Sequence, residues 1–264
     1  MRLQAALLIA ALAAGTMSIA APADEAPGAP VDLAIVLLTD VSNSIDDREY
    51  QIVKEGYRSA FSDPQVIEAI LDNSKGVAVA YVEFSGQSEF TLVRGWDVLT
   101  GSDSARAFGE AIAAAPRSSS GNTALAASLR KASDMLSVEL FGTARRVIDV
   151  ASDDSSDQAR SAPVRDAAVA DGITINALPF TNDRQIGTYD GHMSFASAHW
   201  GLQSAAESYR RNVIGGPGSF LIEVQDFRAF GEALKRKLLR ELISSPGGKG
   251  TSGPTKLETA SAAR

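Results

Sequence analysis

The chain lacks cysteine altogether and has only two histidines, His192 and His199, among 264 residues. The first absence excludes thiol nucleophiles, disulfides, iron–sulfur clusters and thiolate zinc sites, so the fold must stand on its core. The second leaves too little imidazole for a conventional zinc enzyme unless carboxylates complete the set, and the two histidines are not at a ligand-pair spacing. Both are expected in a surface loop or helix. Positive charge is scarce as well. The 25 Lys and Arg face 32 Asp and Glu, and a net charge of −7 disfavours binding nucleic acid or anionic lipid through bulk electrostatics. There is no Gly-x-Ser-x-Gly turn to present a hydrolase nucleophile. No uninterrupted apolar run reaches the roughly 18 residues of a membrane helix.

What is present is an ordinary globular composition, 45% hydrophobic and 22% charged, with length for one large α/β domain. Residues 1–23 carry one positive charge at Arg2, an apolar stretch from Ala5 to Ala14 and the small-residue site Ala21-Pro22-Ala23. That is the layout of a secretory signal peptide. Its removal takes away Arg2 alone among charged residues and leaves a net charge of −8. A short linker over 24–30 then precedes one domain over 31–243, and residues 244–264, without apolar periodicity, read as a disordered tail. The expectation is a periplasmic or secreted protein with no membrane span after signal cleavage. The sequence carries no signal for oligomeric state.

Leu33 to Thr39 is apolar at almost every position, as in a strand buried on both faces. Helical spacing aligns Tyr50, Val53, Tyr57, Ala60 and Phe61 over 46–61, and Pro64 opens a shorter helix through Leu71. Strands are predicted over 77–84 and 89–93. Their short link, Ser85-Gly86-Gln87-Ser88, suits a hairpin, so the third strand should be antiparallel and at an edge. Helices over 104–114 and 123–136, a strand over 146–150, a helix over 163–170 and a strand over 173–178 follow. Residues 193–210 are weakly helix-compatible, 220–224 reads as a last strand and 227–242 as a closing amphipathic helix. Gly215-Gly216-Pro217-Gly218 reads as a tight turn, Arg145-Arg146 as the flank of a strand, and Trp96 and Trp200 as packing residues. Together these predict an α/β fold: a doubly wound, mostly parallel six-stranded sheet with one antiparallel edge strand and helices on both faces.

In such sheets ligands sit beyond the carboxyl ends of the strands. The first strand runs into Asp40-Val41-Ser42-Asn43-Ser44, the strand over 146–150 runs into Ala151-Ser152-Asp153-Asp154, and Ser120-Gly121-Asn122-Thr123 leads into a helix. Asp40, Ser42, Ser44, Thr123 and Asp153 would thus converge as hard oxygen donors. Such a set suits Mg²⁺, Mn²⁺ or Ca²⁺ and fits zinc or copper poorly. Ser44 also has the chemistry of a helix cap, while Asp46 and Asp47 are assigned to the first turn of the helix rather than to the ion.

Asp40-Val41-Ser42-Asn43-Ser44 matches the DxSxS signature of von Willebrand factor type A domains, whose metal-ion-dependent adhesion site uses this motif. Thr123 resembles that family's metal-site threonine and Asp153 its second aspartate, and the resemblance covers about residues 31–242. The stretches VDLAIVLLTDVSNSID, RRVIDVASDD, DGITINALPF and NVIGGPGSFL are similar to a bacterial exported family of type A-like domains of unknown function. The resemblance implies that Ser42, Ser44 and Thr123 contact an ion directly while Asp40 and Asp153 act partly through water. It also implies a protein partner that presents a carboxylate to that ion, and hence a binding or adhesion module rather than an enzyme. Asp154 stands where the family has glycine; with Asp157 it either adds charge to the site or is solvated loop charge. The alternatives are a metal-dependent hydrolase or phosphatase using Asp40 as nucleophile, and a periplasmic solute-binding protein.

Overall fold

A computed structural model describes residues 30–137, 141, 144–153, 158–180 and 205–243. The leader, Asp154, Asp157, His192, His199, Trp200 and the tail from residue 244 lie outside the described residues. In chain order the elements are β1 (Leu33–Asp40), α1 (Asp47–Ser62), α2 (Pro64–Leu71), β2 (Val77–Phe84), β3 (Phe90–Leu99), α3 (Ser102–Ala114), α4 (Leu125–Met135), β4 (Arg145–Ser152), α5 (Gln158–Ala170), β5 (Ile173–Pro179), α6 (Ala205–Asn212), a 3₁₀ turn (Phe227–Ala229) and α7 (Phe230–Ile243).

The strands lie in the order β3-β2-β1-β4-β5. β1 pairs in parallel with β2 and β4, β4 with β5, and β2 and β3 form the antiparallel edge pair. Being central, β1 is buried at all eight positions, which is why its sequence shows no alternation. Its side chains nevertheless divide by parity. Leu33, Ile35 and Leu37 pack on the face covered by α1, α2, α3 and α7, and Ala34, Val36 and Leu38 on the face covered by α4, α5 and α6. The two apolar layers fix the sheet from both sides and leave its C-terminal edge to the loops.

Five strands pair where six were expected. Residues 220–224 do run beside β5, with Leu221 bridging Ala177 and Val224 bridging Phe180, but they form no continuous ladder. The reason is Pro179. Ala177 N bonds Phe220 O at 3.1 Å, Ile222 N bonds Ala177 O at 3.0 Å and Val224 N bonds Pro179 O at 3.0 Å, but Pro179 has no N–H to continue the ladder between the two bridges. The turn itself is as predicted: Gly216 and Gly218 have φ of 90° and 71°, and a Cβ at Gly216 would stand 2.9 Å from the Ile173 carbonyl oxygen.

Several boundaries moved. β3 runs on to Leu99 because its pairing with β2 shifts twice between Val79 and Val82, which interrupts the period-two pattern. α5 begins at Gln158 and carries Pro163 inside it rather than at its start. α4 begins at Leu125, two residues later than expected, with Ala124 in a non-helical conformation, its amide bonding the Ser85 carbonyl at 2.8 Å. Trp96 packs edge-on against Phe141 as an interior residue. No helix among the described residues is long and apolar enough to cross a membrane.

Candidate metal centre

β1 ends at Asp40, and the chain then turns tightly enough for Ile45 N to bond Ser42 O at 3.0 Å. Helix α1 starts on its own cap. Asp46 accepts from Glu49 N at 2.8 Å, and Glu49 accepts from Asp46 N at 2.9 Å. This reciprocal box relieves Ser44 of any capping duty. Ser44 instead donates to Asp153 Oδ1, 2.7 Å away across 109 residues of chain.

All five predicted side chains come together in one oxygen network. Thr123 Oγ1 donates to Ser42 Oγ at 2.9 Å, and Ser42 Oγ and Ser44 Oγ share a hydrogen bond of 3.0 Å. Asp40 sits beneath, 1% exposed, with Oδ1 accepting from Ser42 N at 2.8 Å and Oδ2 from Ser152 Oγ at 2.6 Å. Burial, reinforced by the charge of Asp153, pushes the Asp40 carboxyl up to about 7 against the opposing hydrogen bonds from Ser152 and Ser42. Ser42 is as buried as Asp40, whereas Ser44 is exposed, so the network opens outward on one side. Three hydroxyls and two carboxylates make a donor set of hard oxygens, which fits a divalent cation of the Mg²⁺, Mn²⁺ or Ca²⁺ class. Among the described residues no group of three or more His, Cys, Asp or Glu gathers, so this oxygen set owes its character to hydroxyls.

Several supporting residues escaped the reading of the sequence. Ser152 was hidden because a serine ending an apolar strand looks like any strand terminus. Glu83, at 0% exposure, was the one acid in the run VAVAYVEF, a signal that could have been used. One of its oxygens receives Tyr50 at 2.9 Å and Lys54 at 3.2 Å, and the other the Ser118 amide at 2.9 Å, so the core holds the loop that precedes Thr123. Burial lowers the Lys54 ammonium against the pull of Glu83. Glu89 accepts from the Ser85 hydroxyl and the Gly86 amide of its own hairpin, bonds that hold its carboxyl below the usual range, and Ser85 Oγ in turn shares a hydrogen bond of 2.7 Å with Ser119 Oγ of the loop before Thr123. Arg117, a lone cation in the serine-rich loop, reaches the turn after β1. An apolar void lined by Ile35, Phe61, Val79 and Leu238 and a groove between α4 and α5 lined by Arg130, Asp134 and Val164 both lie away from the oxygen network.

Residues 30–246 match a family described as protein of unknown function (DUF1194). The chain belongs to the DUF1194 family. No curated protein matches this DUF1194 sequence. Solved structures do. The pilus adhesin SpaC from Lactobacillus rhamnosus GG, in its open conformation, superposes with a TM-score of 0.57 at 15% identity, over 84% of this chain and 31% of that one. A von Willebrand factor type A protein from Catenulispora acidiphila gives 0.56 at 14% identity, over 80% and 43%. Proximal thread matrix protein 1 from the mussel byssus, described with a zinc-occupied metal-ion-dependent adhesion site motif, gives 0.50 at 16% identity, over 80% and 46%. The DUF1194 chain therefore has the von Willebrand factor type A fold, and it spans about a third to a half of the length of these chains.

Proposed function

We propose that this protein is an exported binding module that holds a divalent cation at Asp40, Ser42, Ser44, Thr123 and Asp153 and uses it to engage a carboxylate on a protein partner. The observation that carries the reading is the single hydrogen-bonded network that joins these five side chains from three loops at the C-terminal edge of the sheet. The zinc-occupied motif of the byssus protein, on the same fold, supports metal binding in a general way. A bound Mg²⁺, or Mn²⁺ or Ca²⁺, would supply a Lewis-acidic charge for the partner's carboxylate.

The protein's own groups divide the labour. Ser42, Ser44 and Thr123 present neutral oxygens, so a cation they hold keeps net positive character for an external anion. Asp153 accepts from Ser44 and turns that hydroxyl's lone pairs away from itself. Asp40 orients the loop through the Ser42 amide. Both Asp40 oxygens are occupied and the side chain is buried, which weighs against its use as a nucleophile on a phosphate or ester. Export to the periplasm or the exterior is supported by the leader-like residues 1–23 and by the adhesin among the structural neighbours.

The test is affinity capture from the native envelope with Mg²⁺, with EDTA, and with Asp40→Ala and Ser44→Ala proteins. A partner retained in Mg²⁺ and lost in the other three arms is expected. Equal retention in all four would sink the metal bridge, and phosphatase or esterase turnover abolished by Asp40→Ala would favour an enzyme.

A further inference from the structure

The two loops that carry Ser42, Ser44 and Thr123 belong to different parts of the chain, yet they are bound together by one side chain. The Arg117 guanidinium, 17% exposed, has Nη2 at 2.8 Å from the Val41 carbonyl oxygen, 2.9 Å from that of Ser42 and 2.8 Å from that of Ile45. Its Nε donates to the Ser119 carbonyl of its own loop at 3.1 Å, and Nη1 reaches Asp47 Oδ1 at 3.2 Å. The Cζ of the group lies over the Tyr50 ring, 5.3 Å from its centroid. One cation therefore collects backbone carbonyls from both ends and the middle of the turn over 41–45 and ties them to the loop leading to Thr123. A single backbone bond, Asn43 N to Gly121 O at 3.0 Å, adds to this tie. From the other side, Glu83 receives the Ser118 amide, so the segment over 117–119 is held between the core and the turn.

We infer that Arg117 is a positioning residue for the oxygen site: its fork fixes the curvature of the turn over 41–45, and so the distance at which Ser42, Ser44 and Thr123 present their oxygens. The inference rests on the metal-site reading above. The choice of arginine follows from geometry. A guanidinium offers five donors in a rigid plane, and a lysine ammonium has neither the span nor the plane to hold Val41, Ser42, Ile45 and Ser119 together. There is also an opposing effect. A positive charge this close to a cation site repels the cation, so an arginine that acted through charge alone would weaken metal binding. The two roles make opposite forecasts for its removal.

The experiment compares wild type, Arg117→Lys and Arg117→Ala, each checked for folding by circular dichroism. Mn²⁺ affinity is measured by calorimetry, and hydrogen exchange at the amides of residues 41–46 is measured without metal. Both variants should bind Mn²⁺ about 10- to 100-fold more weakly, the loss typical when groups that orient metal ligands are removed. Exchange over 41–46 should quicken in both, and guanidinium chloride at low millimolar concentration should partly restore the Mn²⁺ affinity of Arg117→Ala. Wild type that binds Mn²⁺ alongside variants of equal or tighter affinity, or exchange over 41–46 left unchanged, would overturn the positioning role alone. Wild type that takes up no Mn²⁺ overturns the metal reading and the inference with it.

Discussion

Asp46 is two residues from Ser44 and carries a charge that would attract a cation, yet its Oδ1 is turned to the helix. Its Oδ1 accepts from Glu49 N and its own amide is taken by Glu49, so its free energy goes into starting α1. Asp46→Ala should lower stability by about 1 kcal/mol, the usual loss on removing an aspartate cap, while leaving divalent-cation affinity unchanged in calorimetry. A large loss of affinity would instead place Asp46 in the site. At this scale the sequence was most informative where residue type and spacing both constrained the chemistry. That Asp40, Ser42, Ser44, Thr123 and Asp153 meet was legible because each follows a parallel strand or opens a helix at the carboxyl edge of the sheet, where this topology gathers its loops. Arg117 and Ser152 were not, because their partners are a set of backbone carbonyls and a carboxylate 112 residues distant, which no local pattern encodes.

Among the elements, α7 is docked by more than apolar packing. Asp149, in β4, has Oδ1 2.5 Å from Lys237 Nζ, and the same ammonium lies 2.6 Å from Glu241 Oε1, all three groups being essentially without solvent. Asn176 of β5 donates to Glu241 at 2.8 Å, and the Arg145 guanidinium donates to the Glu241 backbone carbonyl. The ion pair at 2.5 Å argues for a charged Asp149, whereas burial and then repulsion by Glu241 push its carboxyl up to about 7 against the Lys237 charge. The Lys237 charge offsets burial only in part, because the same ammonium is shared with Glu241. Because the folded state then holds the proton more firmly than the unfolded chain, this group lowers stability as pH rises from about 4 to about 7. Asp149→Asn removes that penalty. Its stability relative to wild type should therefore rise between pH 5 and pH 7, by at most about 1.4 kcal/mol per pH unit, in urea titrations. A difference that is flat, or that falls over this interval, would show Asp149 to be ionised throughout. None of this cluster was legible in advance, since Asp149 and Lys237 meet only when β4 and α7 pack. The strands and helices themselves were legible from periodicity. The one strand that fell short, over 220–224, is interrupted where Pro179 of β5 has no N–H to offer it.

For the molecule as a whole, a cation that binds only the folded state should stabilise it. At a metal concentration 100 times Kd the gain is about 2.7 kcal/mol, and about 2–4 °C per kcal/mol for a domain of this size gives a rise in Tm of roughly 5–10 °C. Differential scanning calorimetry with Mg²⁺, Mn²⁺ and Ca²⁺ should show that rise, and Ser42→Ala should abolish it; no shift with any of the three would argue against the site. The sequence by itself determined the layers, because the apolar strand runs and the helical spacings between them have only one economical packing, a sheet covered on both faces. It also determined the kind of oxygen chemistry at the sheet edge, since residue type sets what a side chain can donate. Only the tertiary structure decided which oxygens touch, that β5 is flanked by a broken edge rather than a sixth strand, and that Arg117 ties the turn over 41–45 to the loop before Thr123. Those outcomes depend on distances between segments far apart in the chain, and such distances exist only once the two apolar layers have formed.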